Sequence, residues 1–205
     1  MDTVAYELEG SLYLNVTNRC TAACSFCTRG TSPRIGPYDL RLRKEPTLQE
    51  LRMAAADAER YREVVFCGYG EPTLRLDVVT ALAAELHGRG ISLRLNTNGH
   101  GNLIHRRNIV PELARSFPSV SVSLNAADAP AYRRLCRPRF GLRSYGAVLD
   151  FTRNCRRLIP RVVVTVVDVE GVDIGACRQV AADLGVPLRV RRYYEHIRTS
   201  DRFEA

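Results

Sequence analysis

The sequence predicts an α/β fold, a partial (β/α)6 barrel in which six parallel strands with outer helices enclose an open polar lumen. Three observations predict it. Short strand-like runs alternate with helical stretches along the chain, and strict alternation implies parallel strands joined by right-handed crossovers. Each strand divides by parity into an apolar face and a polar one. There are six such strands, whereas a closed eight-stranded barrel would fill its interior with bulky branched side chains. Parallel sheets are normally covered on both sides, so a polar inner face implies a lumen that holds a polar ligand.

The strand at 12–17 sets Leu12, Leu14 and Val16 against Tyr13, Asn15 and Thr17. Further strands are expected at 63–67, 91–96, 119–125, 161–168 and 187–194. In the third, Ile91, Leu93 and Leu95 oppose Ser92, Arg94, Asn96 and Asn98; in the fourth, Val120, Val122 and Leu124 oppose Ser119, Ser121, Ser123 and Asn125. The last sets Leu188 and Val190 against Arg189, Arg191 and Tyr193. The apolar faces meet helices expected at 47–60, 76–88, 104–117, 145–158 and 173–184, several opened by Pro, Asp or Ser and closed by Gly or Pro. The one long irregular stretch, 28–45, is rich in Gly, Pro and Arg. A loop of that length in a compact domain is usually functional, here a lid over the lumen.

Composition bounds the function. With 205 residues, 45% of them hydrophobic and 7% aromatic, the chain has the balance of a single globular domain, expected to span 1–205, and by size scaling it can bury roughly 70% of its unfolded surface without disulfides. No apolar run approaches the roughly 20 residues of a membrane span, and the N-terminus lacks a basic region followed by an apolar one. A soluble, unexported, cytoplasmic protein with no membrane association is expected. Seven cysteines in such a chain point to metal ligation or catalysis before disulfides. The net charge is +8, and Lys44 is the only lysine among 30 basic residues. Arginine's planar guanidinium favours carboxylate and phosphate, so an anionic partner is expected.

Directly after the first strand stands Cys20-Thr21-Ala22-Ala23-Cys24-Ser25-Phe26-Cys27, a C-x3-C-x2-C spacing with an aromatic before the third cysteine. Three thiolates this close can wrap one metal centre from a single loop. A structural zinc site wants four protein ligands, and no further Cys or His stands at the required spacing. A four-iron cluster can accept three cysteines and leave one iron open for chemistry, and the C-terminal end of a barrel strand is where such barrels place active sites. After the second strand, Gly68-Tyr69-Gly70-Glu71-Pro72-Thr73 offers two glycines that let backbone approach a ligand, and a proline that stiffens the exit. At the next two strand ends, Asn96-Thr97-Asn98-Gly99 and Ser123-Leu124-Asn125 present short side chains able to hydrogen-bond a ribose and a carboxylate. Thr165 on the fifth strand is a further candidate.

These motifs resemble the signature of the radical SAM superfamily, a C-x3-C-x-aromatic-C loop after the first strand of a partial (β/α)6 barrel, and the resemblance covers 12–194. It implies that Cys20, Cys24 and Cys27 hold a [4Fe-4S] cluster whose fourth iron is chelated by the amino and carboxylate groups of S-adenosylmethionine (SAM). One electron from the cluster would then cleave SAM to methionine and a 5′-deoxyadenosyl radical. It also implies that Phe26 and the turn Gly68, Tyr69, Gly70, Glu71 and Pro72 belong to the SAM site. That turn stands for the family's Gly-Gly-Glu-Pro, with Tyr69 as the variation, and its exposed backbone would receive the methionyl ammonium. Ser123 and Asn125, with Asn96 and Asn98 behind them, would contact the ribose and the methionyl carboxylate. More narrowly, 14–20, 68–73 and 96–101 are similar to small radical SAM proteins associated with TatD-type nucleases, which implies a functional link to such a nuclease.

Of the other cysteines, Cys67 ends the second strand beside that turn, and Cys155 and Cys177 read as small core hydrophobes in helices. Cys136 has no close partner in sequence, so no pair marks an auxiliary cluster. His100, His105, Glu195 and His196 read as packing groups near the mouth.

The expected function is reductive cleavage of SAM followed by hydrogen abstraction from an anionic small molecule anchored by Arg94, Arg189 and Arg191. Loop 28–45, with Arg29, Arg34, Arg41 and Arg43, would exclude water and oxygen, and an electron donor such as flavodoxin or ferredoxin would serve the cluster. One alternative is radical modification of a macromolecule, an RNA base or the glycyl loop of a partner enzyme. An RNA-methylating relative wants an additional nucleic-acid domain and a C-terminal cysteine, whereas Cys177 is the last here. A basic nucleic-acid-binding module with a structural metal is the other alternative. It wants interleaved aromatics, and Trp is absent.

Overall fold

The computed structural model describes residues 2–30 and 32–193. In chain order the strands are β1 (Ala5–Leu8), β2 (Ser11–Asn15), β3 (Arg34–Ile35), β4 (Tyr38–Asp39), β5 (Val64–Cys67), β6 (Leu93–Thr97), β7 (Ser119–Ser123), β8 (Arg161–Asp168) and β9 (Leu188–Arg192). The helices are α1 (Leu48–Ala54), α2 (Leu76–Gly88), α3 (Gly101–His105), α4 (Val110–Leu113), α5 (Ala129–Cys136), α6 (Arg143–Leu158) and α7 (Ile174–Asp183). Seven strands pair in the order β1-β2-β5-β6-β7-β8-β9, and β3 and β4 form a separate hairpin. All neighbours in the large sheet are parallel except β1 and β2. Because that order follows the sequence without reversal, the crossover helices share one side and the sheet curls toward the other as a half-barrel.

Register carries the parity of each strand across the sheet. Leu14 pairs Phe66, which pairs Leu95, which pairs Val120, which pairs Val162. All five are 5% exposed or less and lie in one core with the helices, each burial stabilising by about 1.5–3 kcal/mol. The opposite face carries Asn96 beside Ser121, and Ser123 beside Thr165 beside Arg189. The polar inner face expected from alternation is therefore real.

The elements of the main sheet and its helices differ from expectation chiefly in four places. A short antiparallel β1 precedes the first expected strand, joined through Glu9 and Gly10, both at positive φ as a tight hairpin requires. The helix expected at 47–60 stops at Ala54, and a separate 3-10 turn follows at Ala58–Arg60. Leu51, Ala55 and Ala58 are all fully buried, so their spacing imitates one continuous helix. The helix expected at 104–117 is instead two short ones, because Arg106 turns left-handed and the Asn102 and Asn108 side chains accept from Ile109 N and Val110 N. Helix α5 was not expected. Its start signals were present: Asp128 accepts from Ala131 N at 2.7 Å, and Pro130 stands in the first turn. The last strand ends at Arg192; Tyr194, Glu195 and His196 lie outside the described residues.

Stretch 28–45 carries the β3–β4 hairpin and is tied to the barrel mouth. Asn15 Nδ2 donates to Leu40 O at 2.7 Å, while the Asn18 amide donates to Leu42 O and accepts from Leu42 N. Tyr6, Leu40 and Tyr69 form a second apolar cluster there, with Tyr13, Ile35 and Tyr38 against it.

Candidate active site at the mouth of the half-barrel

The cysteine loop leaves β2 at the C-terminal end of the parallel strands and docks on the end of α5. Ala23 N donates to Cys136 O at 3.0 Å, Ser25 N to Leu135 O at 2.8 Å, and Arg139 N to Thr21 O at 2.8 Å. The unexpected helix is thus the loop's platform, its orphan C-terminal carbonyls satisfied by the loop's amides. Cys20 Sγ receives Ala22 N at 3.4 Å and Asn98 Nδ2 at 3.6 Å. Burial and the nearby Glu71 carboxylate push its thiol up to about 11. The neighbouring Cys136 thiol, then burial, raises the pKa of Cys24. Cys27 Sγ receives Arg29 Nε at 3.4 Å, and the same guanidinium donates to Asn18 O and Ala22 O. Burial opposes the charge of Arg29, but Cys27 and the fields of Cys20 and Cys24 outweigh it. Among the described residues, no three His, Cys, Asp or Glu side chains already converge on one point as a metal site.

The turn after β5 presses against the residues leading into that loop. A Cβ on Gly70 would lie 2.5 Å from Thr17 O and closer still to Arg19 O. Gly68 holds φ +109°, and a Cβ there would meet Asn15 Oδ1 at 2.6 Å. Both glycines therefore serve a backbone-to-backbone fit. Glu71 N donates to Arg19 O at 2.8 Å, and the Glu71 side chain, 2% exposed, gathers four donors: Thr73 N, Thr73 Oγ1 and Thr97 Oγ1 on Oε1, and Asn98 N on Oε2. Burial raises its pKa although these bonds pull the other way. Glu71 thereby clamps the end of β6 to the turn after β5.

Asn98 extends the clamp. Its Nδ2 donates to Thr21 Oγ1 at 3.0 Å, Thr21 Oγ1 bonds His100 Nδ1 at 2.8 Å, and His100 Nε2 bonds the Tyr132 hydroxyl at 2.9 Å. His100 is fully buried, and burial lowers its pKa to about 4, so it is neutral in this chain of bonds. The packing role expected of His100 is what its surroundings display.

Two recesses open at this end of the sheet. One, of about 140 Å3, is lined by Cys20, Cys67, Gly70, Glu71, Asn96, Thr97, Asn98, Ser121, Ser123, Thr165, Arg189 and Arg191. The other, of about 530 Å3, lies between Ser25 and Phe26 of the cysteine loop and Asp168, Val169, Glu170 and Tyr193 at the ends of β8 and β9. Among the expected SAM-site residues, Gly70, Glu71, Asn96, Asn98 and Ser123 share the first recess and Phe26 lines the second; Gly68, Tyr69, Pro72 and Asn125 line neither. The Tyr69 ring packs with Tyr6 and Leu40 instead. Asn125, at φ +58° and 4% exposed, buries a side-chain Oδ1 with no partner in the protein.

The three expected anchoring arginines divide. Arg94 lies low in the lumen, where it pairs Glu63 at 2.9 Å and donates to Tyr13 and Asn96. It is a structural cation and does not line the recess, which corrects its expected place among the anchors. Arg189 and Arg191 do line it. Arg191 keeps an exposed side chain, yet the surrounding protein lowers its pKa by desolvation; Cys67 opposes this and Arg189 adds to it. Sequence parity alone missed Cys67 as a lining residue, although its inward position follows from its pairing with Asn15.

The sequence profile of the Radical SAM superfamily matches residues 14–184, and the chain belongs to that superfamily. It is an iron–sulfur-dependent enzyme whose cofactors are a [4Fe-4S] cluster and SAM. No curated protein sequence matches the chain significantly. Among solved structures it is similar to HydG, a maturase of the [FeFe]-hydrogenase, at 16% identity and TM-score 0.64 over 89% of this chain and 42% of that one. It is also similar to anSMEcpe with bound AdoMet, at 15% identity and TM-score 0.61 over 88% and 50%. A radical SAM methyltransferase from Sphaerobacter thermophilus aligns at 17% identity and TM-score 0.48 over 92% and 68%. HydG and anSMEcpe bear out the half-barrel fold, and the chain spans half of their length or less. No helix among the described residues is long and apolar enough to cross a membrane.

The residues present fit the cofactors. The loop supplies three soft thiol donors, with N–H groups from Ala22, Asn98 and Arg29 already aimed at two of the sulfurs. Asn125 buries an acceptor that a ligand hydroxyl or amine can satisfy.

Proposed function

We propose that this radical SAM enzyme takes an anionic small molecule into the half-barrel and abstracts a hydrogen atom from it. The observation that carries this reading is the shared lining of one recess: Cys20, the Gly70–Glu71 turn, the hydroxyls of Ser121, Ser123 and Thr165, and the guanidinium groups of Arg189 and Arg191. Cys20, Cys24 and Cys27 would hold the cluster. Gly68, Tyr69, Gly70, Glu71 and Pro72, with Phe26, Asn96, Asn98, Ser123 and Asn125, would hold SAM, Tyr69 acting through its backbone. Bound there, the cluster and SAM would supply one-electron reductive cleavage of SAM to methionine and a hydrogen-abstracting 5′-deoxyadenosyl radical.

The chain's own residues set the stage. Arg29, Asn98 and the Ala22 amide offset negative charge on the sulfurs. Glu71 Oε2 accepts a single protein bond and keeps a lone pair for an ammonium. Arg189 and Arg191 provide charge-assisted contacts worth about 1.5–3 kcal/mol each to a carboxylate or phosphate. The tied-down stretch 28–45 excludes water and oxygen from one flank. The chain's seven thiols, all unbridged, support a reducing, cytoplasmic setting. Residues 14–20, 68–73 and 96–101 support a place among the small proteins associated with TatD-type nucleases, and a functional link to one.

Anaerobically reconstituted protein given SAM and a reductant is expected to release 5′-deoxyadenosine without substrate. Stoichiometric zinc without sulfide, or no 5′-deoxyadenosine, would overturn the reading.

A further inference from the structure

An electron donor must approach the cysteine loop from a side that SAM and substrate leave free. The loop's outer flank is such a side: Ala23 and Ser25 are exposed, and both donate backbone bonds to the end of α5. Around that seam residues 133–143 read Arg-Arg-Leu-Cys-Arg-Pro-Arg-Phe-Gly-Leu-Arg, with five arginines and no acid. Arg133, Arg134, Arg137, Arg139 and Arg143 are all exposed. Among the described residues none of the five reaches a carboxylate, which also holds for exposed Arg41, Arg60, Arg106 and Arg178; what sets the segment apart is the density of five arginines in eleven residues with no acid among them. Leu142, 53% exposed, adds an apolar contact amid the charges.

We propose that residues 133–143 form the docking surface for an acidic one-electron carrier protein. The proposal rests on Cys20, Cys24 and Cys27 holding the cluster. Clustered like charges repel, and an acidic partner relieves that repulsion while steering its own approach. Position favours an electron carrier over a remote regulator. Only the peptide layer joined by Cys136 O to Ala23 N and by Thr21 O to Arg139 N separates the patch from the cysteine loop. Single-stranded RNA fits less well, since it wants aromatic faces for its bases. Phe140, the one aromatic in the segment, is half-buried edge-on against His100. In the exchange itself, a flavin hydroquinone anion loses one electron to become the neutral semiquinone and the oxidised cluster gains it; no proton or group moves.

The test uses reconstituted holoenzyme, wild type and Arg133→Glu/Arg134→Glu, with an acidic flavodoxin as probe. Calorimetric titration at low salt is expected to show at least tenfold weaker binding by the variant. Wild-type affinity should fall with added sodium chloride and the variant's should change little. Bleaching of the cluster by flavodoxin hydroquinone should slow in parallel, whereas bleaching by reduced methyl viologen, a small cation, should not slow. If viologen bleaching also slows, α5 has been disturbed, and Arg139→Glu/Arg143→Glu then decides by the same measurements. Equal flavodoxin affinity in wild type and in both variants would overturn the proposal, as would equal affinity accompanied by loss of binding to a single-stranded RNA. A wild-type protein that no reductant bleaches would refute the cluster assignment instead.

Discussion

Replacing Gly70 with alanine tests whether the turn after β5 is a fitted surface or simply an exposed backbone for SAM. The new Cβ would stand 2.5 Å from Thr17 O and 2.8 Å from Asn18 C, whereas unstrained carbon contacts sit near 3.5–4.0 Å. The segment 17–19 would have to retreat by about 1 Å. It cannot do so cheaply, because Glu71 N binds Arg19 O and Glu45 holds Thr17 and Arg19. Overpacking of this kind costs about 1–3 kcal/mol, and the upper end applies because the atoms struck are backbone. At roughly 2–4 °C per kcal/mol for a chain of this size, the melting temperature should drop by about 6–12 °C. Cys20 is the next residue along, so iron retention should fall together with SAM affinity. A role as exposed backbone alone would instead have a Gly70 substitution disturb SAM binding and spare the cluster. The assays are thermal melting of the cluster-free protein and iron per chain after reconstitution. Unchanged melting with full iron loading would refute the fitted-surface reasoning.

Gly146 is the matching control. It lies in α6 with open space where an alanine methyl group would stand, so Gly146→Ala should stabilise by about 0.5–1 kcal/mol in denaturant titration. His100 binds its proton near pH 6.5 when unfolded but only near pH 4 when folded. The unfolded state therefore holds the extra proton between those values, and stability of the cluster-free protein should fall by about 3 kcal/mol as pH drops from above 6.5 to 4. In His100→Gln that part of the pH dependence should vanish. Arg94→Met strands the partly buried Glu63 carboxylate and should cost about 1–3 kcal/mol while leaving iron loading per chain intact. Arg191→Met should do the reverse, changing stability by less than about 0.5 kcal/mol and weakening any anionic substrate roughly tenfold.

Much of this was legible in the sequence because parity and motif spacing are local properties. The inward row Asn96, Ser121, Ser123, Thr165 and Arg189 is a direct reading of alternation, and the three signature cysteines announce their loop by spacing. What alternation could not supply was depth along the lumen. Arg94 and Arg191 share inward parity, yet the register puts Arg94 beside Val65, near Glu63, and Arg191 beside Val167. Helix α5 was hidden because it is short and arginine-rich, with Tyr132, Leu135 and Cys136 as its buried residues. The fitting role of Gly70 was also invisible, since it depends on residues 17–19 arriving from another strand.

The most direct test of the central claim is an anaerobic crystal structure of the reconstituted protein with SAM. A four-iron cluster on Cys20, Cys24 and Cys27 is expected. SAM should run from the Gly70–Glu71 turn toward Ser123 and Asn125, with Arg189 and Arg191 facing free volume beyond it. A metal held by other residues, or SAM bound away from these strand ends, would contradict the claim.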